Sequence, residues 1–173
     1  MSPSPRSRRR FYPSPLPPDR GQRRLRWSAV KHPTSPSRPT PSSPAKSAEM
    51  SKLGRRDTLP ELAVRSELHR RGFRFRVDRA PVKGLRSRAD IVFGPARVAV
   101  YVDGCFWHSC PEHATRPKAN AEWWEQKLTR NQERDAETDH TLREHGWTVV
   151  RIWEHEDPVE AADKVEQVLK LRR

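Results

Sequence analysis

The stretch Asp103-Gly-Cys-Phe-Trp-His-Ser-Cys-Pro-Glu-His113 constrains this chain more than any other. Four residues separate Cys105 from Cys110 and two separate Cys110 from His113, so three soft or borderline ligands sit in one short loop. A loop rich in Cys, His and Pro cannot build a core of its own, and these ligands converge readily on a single ion. Zn²⁺ takes four nitrogen or sulfur ligands in a tetrahedron, so one more must come from elsewhere. The candidates are His155, His108 and His145. His155 fits best, because it directly follows Trp153-Glu154 at the end of a strand expected beside the one leading into Cys105. A closed set of four ligands is structural rather than catalytic. The 2 cysteines, spaced so closely, do not make an extracellular disulfide framework. They point instead to a cytosolic protein with metal-bound thiolates.

The flanking sequence reads as an α/β domain. Thr58-Leu-Pro-Glu61 has the form of a capped helix start, with Pro60 in the first turn and Glu61 at the capping-box position. Leu62, Val64 and Leu68 give that helix, over 59–71, its apolar face. Phe73-Arg-Phe-Arg-Val77 alternates as a half-buried strand does. Ala89-Asp-Ile-Val-Phe93 and Val98-Ala-Val-Tyr-Val102 are two further strands. A long helix runs from Asn120 to Gly146, where glycine permits a left-handed cap. Thr148-Val-Val-Arg-Ile-Trp153 is a strand, and Asp157-Pro-Val-Glu160 opens a final helix ending near Leu171. The order α-β-β-β-α-β-α implies a parallel crossover within a mixed sheet.

Charge is distributed unevenly. The chain carries a formal +13, and residues 1–50 hold 11 of the 35 Lys and Arg, 11 of the 17 prolines and only 2 of the 22 acids. Such a segment cannot bury enough apolar surface to offset the entropy of ordering, so residues 1–49 are expected to be a disordered basic extension. It could serve as an electrostatic arm for DNA, or lie upstream of a start at Met50. A field of this sign attracts nucleic acid. No apolar run approaches the roughly 20 residues needed to span a bilayer, and the basic N-terminus lacks the apolar core of a secretory signal.

Several residues carry chemistry. Asp90 interrupts an apolar strand, where a carboxylate is costly unless it pairs or binds a cation. Mg²⁺ prefers such oxygen ligands; Arg88 is the alternative partner. On the long helix, Trp124, Leu128, Asn131, Asp135 and Leu142 fall within about 60° of one another, which puts Asp135 on the core-facing stripe. His108 could act as a general base or position an attacking water. Phe106 and Trp107, adjacent on a polar loop, could anchor in a core or wedge between base pairs.

Together Arg56-Asp-Thr58 with Glu61, Phe75-Arg-Val77, Ala89-Asp90, Asp103-Gly-Cys-Phe-Trp-His108, Asn131-Gln-Glu-Arg-Asp135, Gly146-Trp147 and Trp153-Glu154 resemble the very short patch repair endonucleases. The resemblance covers about residues 50–170 and makes 50–173 the nuclease domain. It implies a restriction-endonuclease-like fold, a mixed β-sheet flanked by helices with a structural zinc site. It also implies Mg²⁺-dependent hydrolysis of one DNA strand, 5′ of the thymine in T·G mismatches left by deamination of 5-methylcytosine. Asp90, with the Val102 backbone carbonyl, is then the Mg²⁺ ligand. His108 assists the attacking water, and Glu61 and Asp135 complete the catalytic set. Cys105, Cys110, His113 and His155 hold Zn²⁺, and Phe106 and Trp107 intercalate, with Met50 wedging from the opposite groove. The implied partners are duplex DNA with a T·G mismatch and mismatch-repair proteins, and the implied state is a monomer in the cytoplasm, at the nucleoid. Three departures stand out: Ala89 replaces a usual proline, Val102 a threonine, and His113 and His155 stand near positions that can be cysteine. Asp103 is an added acid with no assigned role. The alternatives are a nuclease of the same fold acting on another DNA site or lesion, and a non-catalytic zinc-stabilised DNA-binding module. Binding alone does not need Asp90, Asp135, Glu61 and His108, which favours an enzyme.

Overall fold

A computed structural model describes residues 56–172. The expectations for the extension 1–49 and for Met50 lie outside the described residues. Three helices and four strands follow one another: α1 (Leu59–Arg70), β1 (Arg76–Arg79), β2 (Ala89–Phe93), β3 (Val98–Asp103), α2 (Ala121–Glu144), β4 (Thr148–Trp153) and α3 (Pro158–Leu171). The sheet order is β1-β2-β3-β4. The first two pairings are antiparallel, and β3 runs parallel to β4 with Val98 opposite Thr148 and Asp103 opposite Trp153. The helix α2 is the crossover that a parallel pair requires. This is the mixed α/β sheet expected from the sequence. No helix among the described residues is long and apolar enough to cross a membrane.

The helix boundaries follow local chemistry. Asp157 caps α3 by accepting from the Val159 and Glu160 N–H groups at 2.8 and 3.3 Å. Gly146, with φ of +74°, ends the turn after α2 in the left-handed region that glycine tolerates. The start of α1 departs from expectation. Thr58 gives no side-chain cap; its hydroxyl donates to Glu61 Oε1 at 3.0 Å, and the Asp57 N–H donates to Oε2 at 3.0 Å.

Two sequence expectations need correcting. Leu62 is not part of the apolar face: it is 46% exposed, whereas Glu61, Val64, Arg65 and Leu68 are buried. Those four recur at helical spacing, so the inward stripe of α1 is half charged. The strand expected at 73–77 forms at 76–79 instead. Phe73 and Phe75 alternate because both pack edge-on against Phe93, with ring centroids 6.2 and 5.6 Å away, and the ladder to β2 begins only at Arg76.

The core has two parts. On one face of the sheet Val64 and Leu68 of α1 and Ala161, Val165 and Leu169 of α3 cover Ile91, Phe93, Val98, Val100, Val150 and Ile152. Burying each such aliphatic side chain stabilises the fold by about 1.5–3 kcal/mol. On the other face Leu142 of α2 covers Ala89, Val92, Ala99 and Tyr101. This second cluster is smaller, and charged groups occupy the rest of that face.

Candidate active site

Strand alternation puts Asp90, Asp103 and Arg151 on the face of the sheet that α2 covers, because they are in phase with Val92, Tyr101 and Val149. Asp90 does not pair with Arg88, which binds Asp78 at 2.6 Å instead. Asp90 Oδ2 accepts a hydrogen bond from the Val102 N–H at 2.8 Å. Burial pushes the Asp90 carboxyl up to about 6; the Val102 N–H opposes this, and the nearby charges of Glu61 and Asp103 add to it. A carboxylate raised by burial and by two other carboxylates is a group that a divalent cation would relieve. A buried oxygen donor of this kind is one that a hard divalent cation could use. Glu61, 5% exposed, leans back over the N-terminus of α1 and is held by Arg65 Nη2 at 2.8 Å. Arg65 also reaches Asp57 at 2.5 Å, while its buried Nε has no hydrogen-bond partner.

The loop after β3 brings His108 against α2. His108 Nδ1 lies 2.5 Å from Asp135 Oδ2 and 3.6 Å from Asp103 Oδ1. Burial works against its charged form, but the Asp135 hydrogen bond and the Asp103 charge outweigh it, so the imidazole titrates above its ordinary range. With Nδ1 turned to a carboxylate, Nε2 is the nitrogen left for a substrate or water. Asp103, 4% exposed, accepts from Arg151 Nη1 at both carboxylate oxygens, at 3.0 and 2.8 Å. Its carboxyl is raised by burial against the opposing pull of Arg151 and His108.

A second cluster forms where the ends of β3 and β4 meet. The ligand atoms of Cys105, Cys110, His113 and His155 all lie within 4.8 Å of one another. Cys105 Sγ is 3.1 Å and Cys110 Sγ 3.8 Å from His155 Nδ1, and the His113 and His155 rings are 4.2 Å apart. Parallel pairing of β3 with β4 is what carries His155 there. The other candidates are engaged elsewhere: His108 by Asp135, and His145 by the Thr141 carbonyl at 2.8 Å. Burial and the neighbouring Cys110 push the Cys105 thiol up to about 11. Two thiols and two imidazoles in this arrangement suit a tetrahedral cation with a preference for sulfur and nitrogen. Glu154 buttresses the cluster: its Oε1 accepts from the Cys105 N–H at 2.6 Å, and its own N–H donates to the Asp103 carbonyl at 3.0 Å.

Phe106 and Trp107 are half-buried rather than anchored in either core cluster. They form an aromatic trio with Trp124 of α2, at centroid distances of 5.1 Å between Phe106 and Trp107, 5.2 Å from Phe106 to Trp124 and 6.0 Å from Trp107 to Trp124. Asn131 fixes this loop by donating to the Trp107 carbonyl at 2.9 Å. Arg65, Arg151, Asn131 and Glu154 all support the site; Arg65 and Arg151 escaped the sequence reading, and Asn131 and Glu154 entered it only as stripe or motif positions with no role. For Arg151 a signal existed: a charge inside the apolar strand Thr148–Trp153 poses the same problem that singled out Asp90.

The chain matches a family model described as DNA mismatch endonuclease Vsr over residues 41–113. It is 34% identical over 110 residues to the DNA mismatch endonuclease Vsr of Escherichia coli K12, covering 63% of this chain and 69% of that protein. The chain belongs to the Vsr family of DNA mismatch endonucleases. It is therefore a DNA endonuclease, a hydrolase of phosphodiester bonds. Two further Vsr-family relatives carry a different kind of name. One is the type II nicking enzyme V.NaeI of Lentzea aerocolonigenes, 41% identical over 133 residues, 76% of this chain and 80% of that one. The other is the type II nicking enzyme V.XorIIP of Xanthomonas oryzae pv. oryzae, 39% identical over 111 residues, 62% and 77% of the two chains.

Proposed function

We propose that this Vsr-family enzyme nicks one strand of duplex DNA 5′ of the thymine in a T·G mismatch, as deamination of 5-methylcytosine produces. The observation that carries the reading is Asp90 on the α2 side of the sheet together with the His108–Asp135 pair at 2.5 Å, beside an aromatic trio of Phe106, Trp107 and Trp124. Asp90 and the Val102 carbonyl hold Mg²⁺, which supplies stabilisation of the charge that develops on the attacking and leaving oxygens. Asp135 holds Nδ1 of His108, so that Nε2 can take a proton from an attacking water. Glu61 completes the acidic set from α1. Phe106 and Trp107, supported by Trp124, enter the stack where a mismatch makes unstacking least costly, and Met50 contributes from the opposite groove. Cys105, Cys110, His113 and His155 hold a structural Zn²⁺ that keeps this loop in place. The enzyme acts as a monomer on cytoplasmic, nucleoid DNA.

The names of the two nicking-enzyme relatives favour a second reading, in which flanking sequence decides the cut as much as the mismatch does. A strand-resolved nicking assay on T·G duplexes with randomised flanks, beside matched G·C duplexes, separates the two. Nicking of the thymine strand in T·G duplexes alone supports the first reading. Equal nicking of G·C duplexes supports the second, and no nicking of any T·G duplex overturns the mismatch assignment.

A further inference from the structure

Arg151 ties the strand β4 to both Asp103 and α2 beside the candidate site. From the middle of β4 its Nη1 donates to both carboxylate oxygens of Asp103 on β3. Its Nε and Nη2 donate to Asp139 on α2 at 3.1 and 2.9 Å, and Nη2 reaches the Asp135 carbonyl at 3.3 Å. The guanidinium also lies 5.0 Å from the Tyr101 ring centroid, so its plane is seated from below. One side chain thus joins β3, β4 and α2 at the level of His108.

The imidazole of His108 stands between two carboxylates, and only one can take its Nδ1 proton. Asp135 does so at 2.5 Å, while Asp103 stays 3.6 Å away. Both oxygens of Asp103 already accept from Arg151, which holds that carboxylate in a fixed plane and away from the imidazole. The same guanidinium pins α2 at Asp135 and Asp139. A planar fork with donors in fixed directions can hold two carboxylates at once; a lysine ammonium, a single point of charge, cannot.

We infer that Arg151 is a positioning residue, which occupies Asp103 and anchors α2 so that Asp135 alone holds His108 Nδ1 and Nε2 keeps one direction. The inference rests on the reading of His108 as the group that acts on the attacking water. Losing the fork frees Asp103 to compete for Nδ1 and lets the ring divide between two orientations. A misplacement of about 1 Å in a reacting group costs on the order of 10²-fold in rate.

The test uses the full chain and three variants: His108→Ala, Arg151→Lys and Arg151→Gln. Arg151→Gln keeps Asp103 as the competing carboxylate and offers it a neutral donor, so it covers the case in which Arg151→Lys does not fold. In whichever Arg151 variant folds, kcat for nicking is expected to fall by about 10- to 100-fold. Its Kd for a T·G duplex should stay within about threefold, because the donors of Arg151 are taken up by Asp103, Asp139 and the Asp135 carbonyl. Long-range ¹H–¹⁵N spectra of the histidine ring, at a pH where His108 is neutral, should keep the Nδ1–H tautomer but pass from one set of ring signals in the parent to two sets, or one broadened set, in the variant. An unchanged kcat, a loss of kcat matched by weaker binding, or a single sharp set of ring signals retained in the folded variant would each overturn the inference. A full nicking rate in His108→Ala would instead remove the reading of His108, and the role of Arg151 with it.

Discussion

The two faces of the sheet divide the work of the molecule. Beneath α1 and α3 the sheet presents only aliphatic and aromatic groups, and the largest fully buried side chains, Leu68, Ile91, Ile152 and Val100 among them, lie mostly there. Beneath α2 the same strands present Asp90, Asp103 and Arg151 beside a much smaller apolar cluster. A strand alternates its side chains, so a single residue change of phase separates Ile91 from Asp90 and Ile152 from Arg151. The contrast teaches that one face supplies the stability from which the other can spend charge burial on chemistry.

The sharpest way to break this division is to remove Asp90. In Asp90→Ala, strand-resolved nicking should fall by at least about 10³-fold, because the group that anchors the catalytic cation is lost. Duplex binding, measured by gel shift, should be retained. Nicking that survives would mean that the charged face is not the working one.

Next in size is the clamp where β3 and β4 end. The variant Cys105→Ser/Cys110→Ser should lose about one zinc ion per chain by metal analysis, along with most nicking, since the loop that carries His108 loses its anchor. Full zinc content in that variant would count against the four-ligand site.

The aliphatic face should show the opposite pattern. Leu68→Ala removes a side chain with no exposed surface and should cost about 2–5 kcal/mol in urea unfolding. Nicking per folded molecule should stay at the parent rate, and a large loss there would blur the division.

The smallest effect concerns the cost of the charged face itself. The folded pKa of Asp90, about 6, lies above its ordinary value of 3.8, so in metal-free protein the ionised carboxylate opposes folding above pH 6. That penalty disappears as pH falls through 6 towards 4, where the group is protonated in both states. Asp90→Asn should therefore be more stable than the parent by on the order of 1–2 kcal/mol at pH 8, and equal to it near pH 4, in metal-free thermal melts. A destabilised Asn variant at pH 8 would show that Asp90 is paid for locally by a cation of the protein's own.

Much of the fold was legible because β2, β3 and β4 are apolar runs bounded by Gly and Pro turns, and α2 and α3 carry their own stop and start signals. The errors have physical causes. At β1, Phe73 and Phe75 alternate through ring packing on Phe93 and not through ladder pairing. In α1 the inward stripe contains Glu61 and Arg65, which neutralise one another at 2.8 Å, so a reading based on apolar spacing selects Leu62 instead. The candidate site divides similarly. Asp90, His108 and Asp135 stand out individually because each is out of place locally. Arg151 is as out of place in its strand as Asp90, but its role comes from partners 12 and 48 positions away, which periodicity does not record.

The Cys/His clamp also imposes an order on the making of the protein. Cys105, Cys110 and His113 leave the ribosome together, but His155 follows 50 positions after Cys105 and arrives only with the end of β4. Between those moments the nascent chain carries two bare thiols and a loop with no fixed shape, and β3 has no parallel neighbour. Synthesis runs from the N-terminus, so the loop that presents Phe106, Trp107 and His108 acquires its form among the last parts of the domain. A chain interrupted during translation before Thr148 lacks both the last strand of the sheet and the fourth member of the Cys/His cluster.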